Sequence, residues 1–136
     1  MKYRIYCEPR PWPRTMGNGT RRFSPAWYSD LKAEIRNQMS KHKTVERFSG
    51  KFLQLYITVF VQKPVTTRCA YPSRGDVDNY AKAVMDALQR DKKDHESVRY
   101  WLFNDDRYVQ ALYVAKQWSS EPGYLIEAVG LEGLDR

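Results

Sequence analysis

The chain is short of cysteine, of histidine and of long apolar runs, and each shortage excludes a class of protein. Cys7 and Cys69 are its only cysteines in 136 residues. They are too few and too far apart for a disulfide framework or a zinc site, so two reduced thiols are expected. His42 and His95 lie in polar, charged surroundings without ligand spacing and are assigned no site. No apolar stretch approaches the roughly 20 residues that span a bilayer. Met1-Lys2-Tyr3-Arg4 is not followed by the apolar region of a signal peptide. These absences predict a soluble, intracellular protein with no membrane association. Internal repeats and low-complexity tracts are also missing.

Acid is outnumbered by base. Against 23 basic residues stand 16 acidic ones, a formal net charge of +7 and a sequence pI near 9.5. Such a chain suits a polyanionic partner such as nucleic acid, although charge alone does not separate that from a membrane surface. The length fits one domain, residues 1–136, with a core that needs no disulfide or structural metal.

Element signals run the length of the chain. Lys2–Cys7 alternates as a strand, and Glu8–Ser24 is a basic loop broken by proline and glycine. Ser24-Pro25 has the form of a helix start, serine at the N-cap and proline at the first helical position. That helix is expected to reach about Lys41, with Trp27, Leu31, Ile35 and Met39 as its apolar stripe. Phe52–Val61 predicts a strand buried substantially on both faces. After a Lys63–Gly75 loop, helical period returns from Asp76, with Val77, Tyr80, Ala81, Val84, Met85 and Leu88 on one face. Arg90–Asn104 is expected to be a polar connection that passes through Tyr100, Trp101, Leu102 and Phe103. Arg107–Trp118 and Tyr124–Leu131 are expected strands joined by a Ser119–Gly123 turn of hairpin type. The order β-α-β-α-β-β predicts an α+β fold, two main helices packed on a mixed sheet.

Because the chain as a whole is basic, acids gathered at two points are not generic solubilising charge. Asp76 and Asp78 stand at the mouth of the second helix, and Asp105 and Asp106 just before a strand. Each has an ordinary structural explanation. Asp76 suits a helix N-cap, and Asp78 in the first turn complements the helix dipole. Asp78 and Lys82 make an i,i+4 pair worth roughly 0.2–0.5 kcal/mol, and Asp105-Asp106 reads as a turn. Jointly they also offer hard oxygen ligands to Mg²⁺, which takes a few carboxylates, several waters and phosphate oxygens. Such a site could hold two ions about 3.5–4 Å apart, with Lys82 as a point charge for the transition-state phosphate. The two readings stand side by side on residue chemistry alone.

The block D-V-D-N-x-x-K-x-x-x-D-A-L (Asp76 to Leu88), followed by D-D-x-x-V (Asp105 to Val109), resembles the RusA-like Holliday-junction resolvases. These are small metal-dependent endodeoxyribonucleases of bacteria and their phages. Arg10-Pro11-Trp12-Pro13-Arg14 and the whole element order also look like the family. The resemblance implies catalytic and metal-binding roles for Asp76, Asp78 and Asp106, a catalytic role for Lys82, and supporting roles for Asn79 and Asp105. Asp86 matches a recurring acid and is left outside the catalytic set. The cofactor implied is Mg²⁺, with Mn²⁺ as a substitute, and the setting is the bacterial cytoplasm. The Gln89–Asn104 linker departs from the family in its length and charge, which bears on selectivity more than on chemistry.

Loop cations Arg10, Arg14, Arg21, Arg22, Lys63, Arg68 and Arg74 are the candidate DNA contacts, with affinity expected to be strongly salt dependent. Trp12 and Phe23 between them either cap the core or stack on unpaired bases. A four-way junction is two-fold symmetric, so a homodimer with one site per subunit suits it. The leading expectation is therefore a Mg²⁺-dependent, structure-selective endodeoxyribonuclease. It resolves four-way junctions by paired symmetric nicks, in DNA recombination and repair. The alternatives are a non-catalytic branched-DNA binding protein and a broader flap or fork nuclease with the same metal site.

Overall fold

Leu53, Leu55, Ile57 and Val59 alternate along the chain, so strand geometry puts all four on one face, and each is at most 1% exposed. They form the inner row of the central strand in a computed structural model that describes residues 2–13, 25–42, 48, 50–90 and 101–131. The elements are β1 (Lys2–Tyr6), α1 (Ala26–Ser40), β2 (Leu53–Gln62), α2 (Val77–Leu88), a 3₁₀ turn (Asp106–Tyr108), β3 (Val109–Ser119) and β4 (Gly123–Gly130). The fold is α+β, a mixed four-stranded sheet with two helices in the expected order.

The expectation that β2 is buried on both faces is corrected. Gln54, Tyr56, Thr58 and Phe60 on its outer face are only half-buried, because they are screened by neighbouring strands' side chains and not by a helix. Tyr56 stacks on Tyr113 with ring centroids 4.7 Å apart. The Arg4 guanidinium lies over Tyr6 and Phe60 at 4.3 and 4.4 Å.

The strand order is β1-β4-β2-β3, and it overturns the expected hairpin. A short connection does join β3 to β4, but the two strands do not pair. β2 lies between them, parallel to β3 and antiparallel to β4. Burial explains the choice. β4 brings Tyr124, Ile126 and Ala128 to the core at 4% exposure or less, so it takes an interior position between β1 and β2. β3 alternates half-buried and exposed residues, which suits an edge. Parallel pairing of β2 and β3 requires a long crossover, and α2 supplies it.

α1 buries Tyr28, Leu31, Ile35 and Met39. Tyr28 therefore replaces the expected Trp27, which is half-buried at the border of the core. Pro25 occupies the N-cap with extended backbone, not the first helical position, and Ser24 lies outside the described residues. α2 turns more of its alanine side inward than its period suggested. Ala83 and Ala87 are fully buried, Val77 is 40% exposed and Met85 is half-buried. Small residues there let α1 approach closely, and Arg36 Nε donates to the Ala87 carbonyl at 2.7 Å.

The Arg90–Asn104 connection is not polar throughout. Residues 91–100 lie outside the described set, but Leu102 and Phe103 are fully buried. Leu102 N–H donates to Leu88 O at 2.7 Å and Arg90 N–H to Phe103 O at 2.9 Å, so both ends are fastened to the end of α2. The chain then passes through the 3₁₀ turn before β3 begins at Val109, two residues later than its sequence pattern suggested.

Candidate active site

Backbone geometry places the first acid pair. Gly75 has φ +77°, and a β-carbon there would sit 2.4 Å from the Tyr80 ring. Only glycine lets the incoming loop cross that ring. Lys116 Nζ on β3 donates to the Gly75 carbonyl at 2.6 Å. The N-terminal loop is tied in by Trp12 N–H, which donates to Asn79 O at 2.8 Å. The opening turn of α2 is thus anchored from two sides.

Asp76 is the N-cap residue by position, yet its side chain makes no capping hydrogen bond. Asp78 is exposed in the first turn. Lys82 forms its ion pair with Asp86, Nζ to Oδ1 at 3.9 Å, so the Asp78–Lys82 pair read from spacing does not form. Among the described residues neither Asp76 nor Asp78 makes a side-chain hydrogen bond or ion pair. Their carboxylates are left facing solvent.

Asp86 sits differently. The Tyr28 hydroxyl donates to its Oδ2 at 2.5 Å, and burial followed by this bond pushes the Tyr28 pKa far up, so the phenol stays protonated. Asp86 is therefore fixed from α1 while its other oxygen faces Lys82. Lys82 Nζ also lies 5.2 Å from the centre of the Trp12 ring. Sequence reasoning passed over Tyr28 and left out Asp86; the i,i+4 spacing of Lys82 and Asp86 was the available signal.

The second pair divides its labour. Asp105 caps the 3₁₀ turn, accepting from Arg107 N–H at 3.2 Å. Asp106 is exposed. Its pKa is raised, first by a hydrogen bond with Asp105 and then by partial burial and the Asp105 charge, with Lys82 pulling it back down. Asp106 thus lies within electrostatic reach of Lys82 and Asp86 on α2. Asp78, Lys82 and Asp86 succeed one another at i,i+4 on one helix face, spanning about 12 Å of axial rise. The acids therefore line a strip along α2, and no group of three close enough to cage a metal ion occurs among the described residues. A hard cation such as Mg²⁺ needs only one or two protein carboxylates beside water and phosphate. The free oxygens of Asp76 and Asp78 fit that requirement.

Of the candidate DNA contacts, Arg10, Lys63, Arg68 and Arg74 are exposed. Arg10 lies over the Trp27 ring at 3.8 Å. Lys63, Arg68 and Arg74 share the β2–α2 loop that leads into Asp76. Arg14, Arg21, Arg22 and Phe23 lie outside the described residues. Trp12 is half-buried against the core, as its structural explanation expects.

The family model for endodeoxyribonuclease RusA matches residues 4–128. The chain belongs to that family. The RusA match runs from within β1 to within β4 and contains both acid pairs, so the site lies wholly inside it. No curated protein matches the chain significantly. Membership makes the chain an endodeoxyribonuclease by class, and no helix among the described residues is long and apolar enough to cross a membrane.

Proposed function

We propose that this RusA-family chain is a Mg²⁺-dependent, structure-selective endodeoxyribonuclease. It resolves four-way DNA junctions by paired nicks, as a homodimer, in DNA recombination and repair. The observation that carries the reading is the contrast at α2: Asp76 and Asp78 are anchored by backbone but unused among the described residues, about two turns and one turn respectively from a lysine paired with Asp86. Two neighbouring carboxylates repel each other, and a bound divalent cation would relieve that repulsion while using their free oxygens.

Asp76 and Asp78 would hold the metal, with Asp106 contributing from the 3₁₀ turn. The bound ion supplies a more acidic water and charge neutralisation at the scissile phosphate. Lys82 places a positive charge where negative charge develops on the phosphate oxygens. Asp86 and Tyr28 orient that lysine; its exposed ion pair adds little stability but narrows where the ammonium points. Arg74, Arg68 and Lys63 hold the backbone through phosphate contacts that carry no sequence information.

The test is cleavage of matched linear, forked and four-way DNA with and without Mg²⁺. Metal-dependent nicks placed symmetrically in the four-way substrate are the expected result. Binding without any cleavage would leave a branched-DNA binding protein, and equal cleavage of forks and flaps would leave a broader nuclease.

A further inference from the structure

A cavity of about 550 Å³ opens where the carboxyl ends of β2 and β3 meet the start of α2. In open sheets with parallel strands this end of the strands is where ligands bind, and the volume lies in the range of small-ligand sites. Its walls have two characters. Trp118, Tyr80, Pro64 and Pro72 are flat and apolar, whereas Arg74 stands among them as the sole charged group of the lining among the described residues. Among the described residues no acid lines the cavity, so a negatively charged ligand meets no like charge from them there. The Trp118 indole N–H is already used, donating to the Cys69 carbonyl at 3.0 Å. That bond fixes the ring and leaves its face for stacking. A planar ring carrying a phosphate matches such a site, aromatic surface for the one and guanidinium for the other.

Position ties the cavity to the acid strip. Arg74 and Asp76 are two residues apart, so their α-carbons lie within about 7.6 Å. A phosphate on Arg74 would then be a close neighbour, along the same DNA strand, of one at Asp76. The Gly75 crossing and its bond from Lys116 keep that spacing fixed. We propose that this cavity holds one unpaired nucleotide of the strand being cut, its base against Trp118 and its phosphate on Arg74. The inference rests on the nuclease reading and adds to it a means of selecting branched DNA, since only a nucleotide released from pairing can enter.

The test uses a four-way junction carrying 5-iododeoxyuridine at each branch-adjacent position in turn, irradiated on the intact protein without Mg²⁺. A crosslink mapping to Trp118 from one of those positions is expected. Trp118→Ala should weaken junction affinity about tenfold, and Trp118→Phe should restore most of it; melting curves separate loss of the site from loss of the fold. Crosslinks confined to peptides outside the cavity, or unchanged affinity in folded Trp118→Ala, would overturn the proposal. Nicking of the same junction in Mg²⁺ is measured apart. A Trp118 crosslink without nicking keeps the nucleotide site and removes the nuclease reading. Nicking without that crosslink removes the nucleotide site alone.

Discussion

Asp76 and Asp78 are chemically the same as Asp86 and Asp105, yet the fold treats the two pairs in opposite ways. Asp86 is bound by the Tyr28 hydroxyl and faces Lys82; Asp105 caps a turn through Arg107 N–H. Asp76 and Asp78, among the described residues, have no such employment, although their backbone is held by Gly75, Lys116 and Trp12. The cysteines repeat the contrast. Cys7 is half-buried against the core, and Cys69 is exposed. Residue type therefore says little here. What separates these two aspartate pairs is whether their carboxylate oxygens are already engaged within the fold.

The sharpest way to break the comparison is to neutralise an unused acid. Asp78→Asn should lower the Mg²⁺-dependent nicking rate about a thousandfold, while the melting temperature moves by no more than about 2 °C, as for an exposed surface change. Affinity for the junction should persist or rise, because one anion facing the phosphates is gone. Wild-type nicking would return both aspartates of α2's opening turn to a structural role.

Lys82→Ala comes next. Withdrawal of a charge from the transition state should cost about a hundredfold in single-turnover nicking, with metal affinity unchanged. Metal binding followed by calorimetry distinguishes this loss from that of Asp78→Asn.

On the employed side, Tyr28→Phe strips Asp86 of its partner. A hydrogen bond to a charged group is worth about 1.5–3 kcal/mol, so the denaturation midpoint should fall noticeably while nicking falls only about tenfold through a less constrained Lys82. Stability loss exceeding that of Asp78→Asn is the outcome that sustains the comparison. Equal stability in the two variants would dissolve it.

The smallest effect concerns the thiols. Burial, followed by the nearby Glu34 charge, pushes the Cys7 thiol up to about 11. Its raised value means the protonated thiol favours the fold. That contribution is complete below the ordinary thiol pKa and is lost as pH rises through about 11. Iodoacetamide at neutral pH should therefore label Cys69 well before Cys7, with mass spectrometry of timed samples as the check.

Much was legible in the sequence for physical reasons. Period-2 alternation in 53–59 and helical period in 77–88 follow from strand and helix geometry, and they located β2 and α2 to within a residue or two. The D-x-D-N-x-x-K and D-D-x-x-V spacings marked the acids because they cluster at element ends in a basic chain. Local rules stopped where partners lie far apart in sequence. Ser119–Gly123 satisfied a hairpin rule, yet β4 pairs with β1 and β2 because the core gains more from Tyr124, Ile126 and Ala128 inside than from β3 beside them. Leu102 and Phe103 looked like part of a polar linker until packing against Leu88 fixed them in the core.

By itself, then, the sequence determined the element order and the stretch of chain that carries the acids, since each depends on periodicity or composition within a few residues. Only the tertiary structure decided which acids are employed, which strand lies at the edge, and that Trp118 and Arg74 share a cavity beside Asp76. Those outcomes depend on hydrogen bonds and contacts between residues tens of positions apart, such as Tyr28 with Asp86 and Lys116 with Gly75, and no local pattern encodes them.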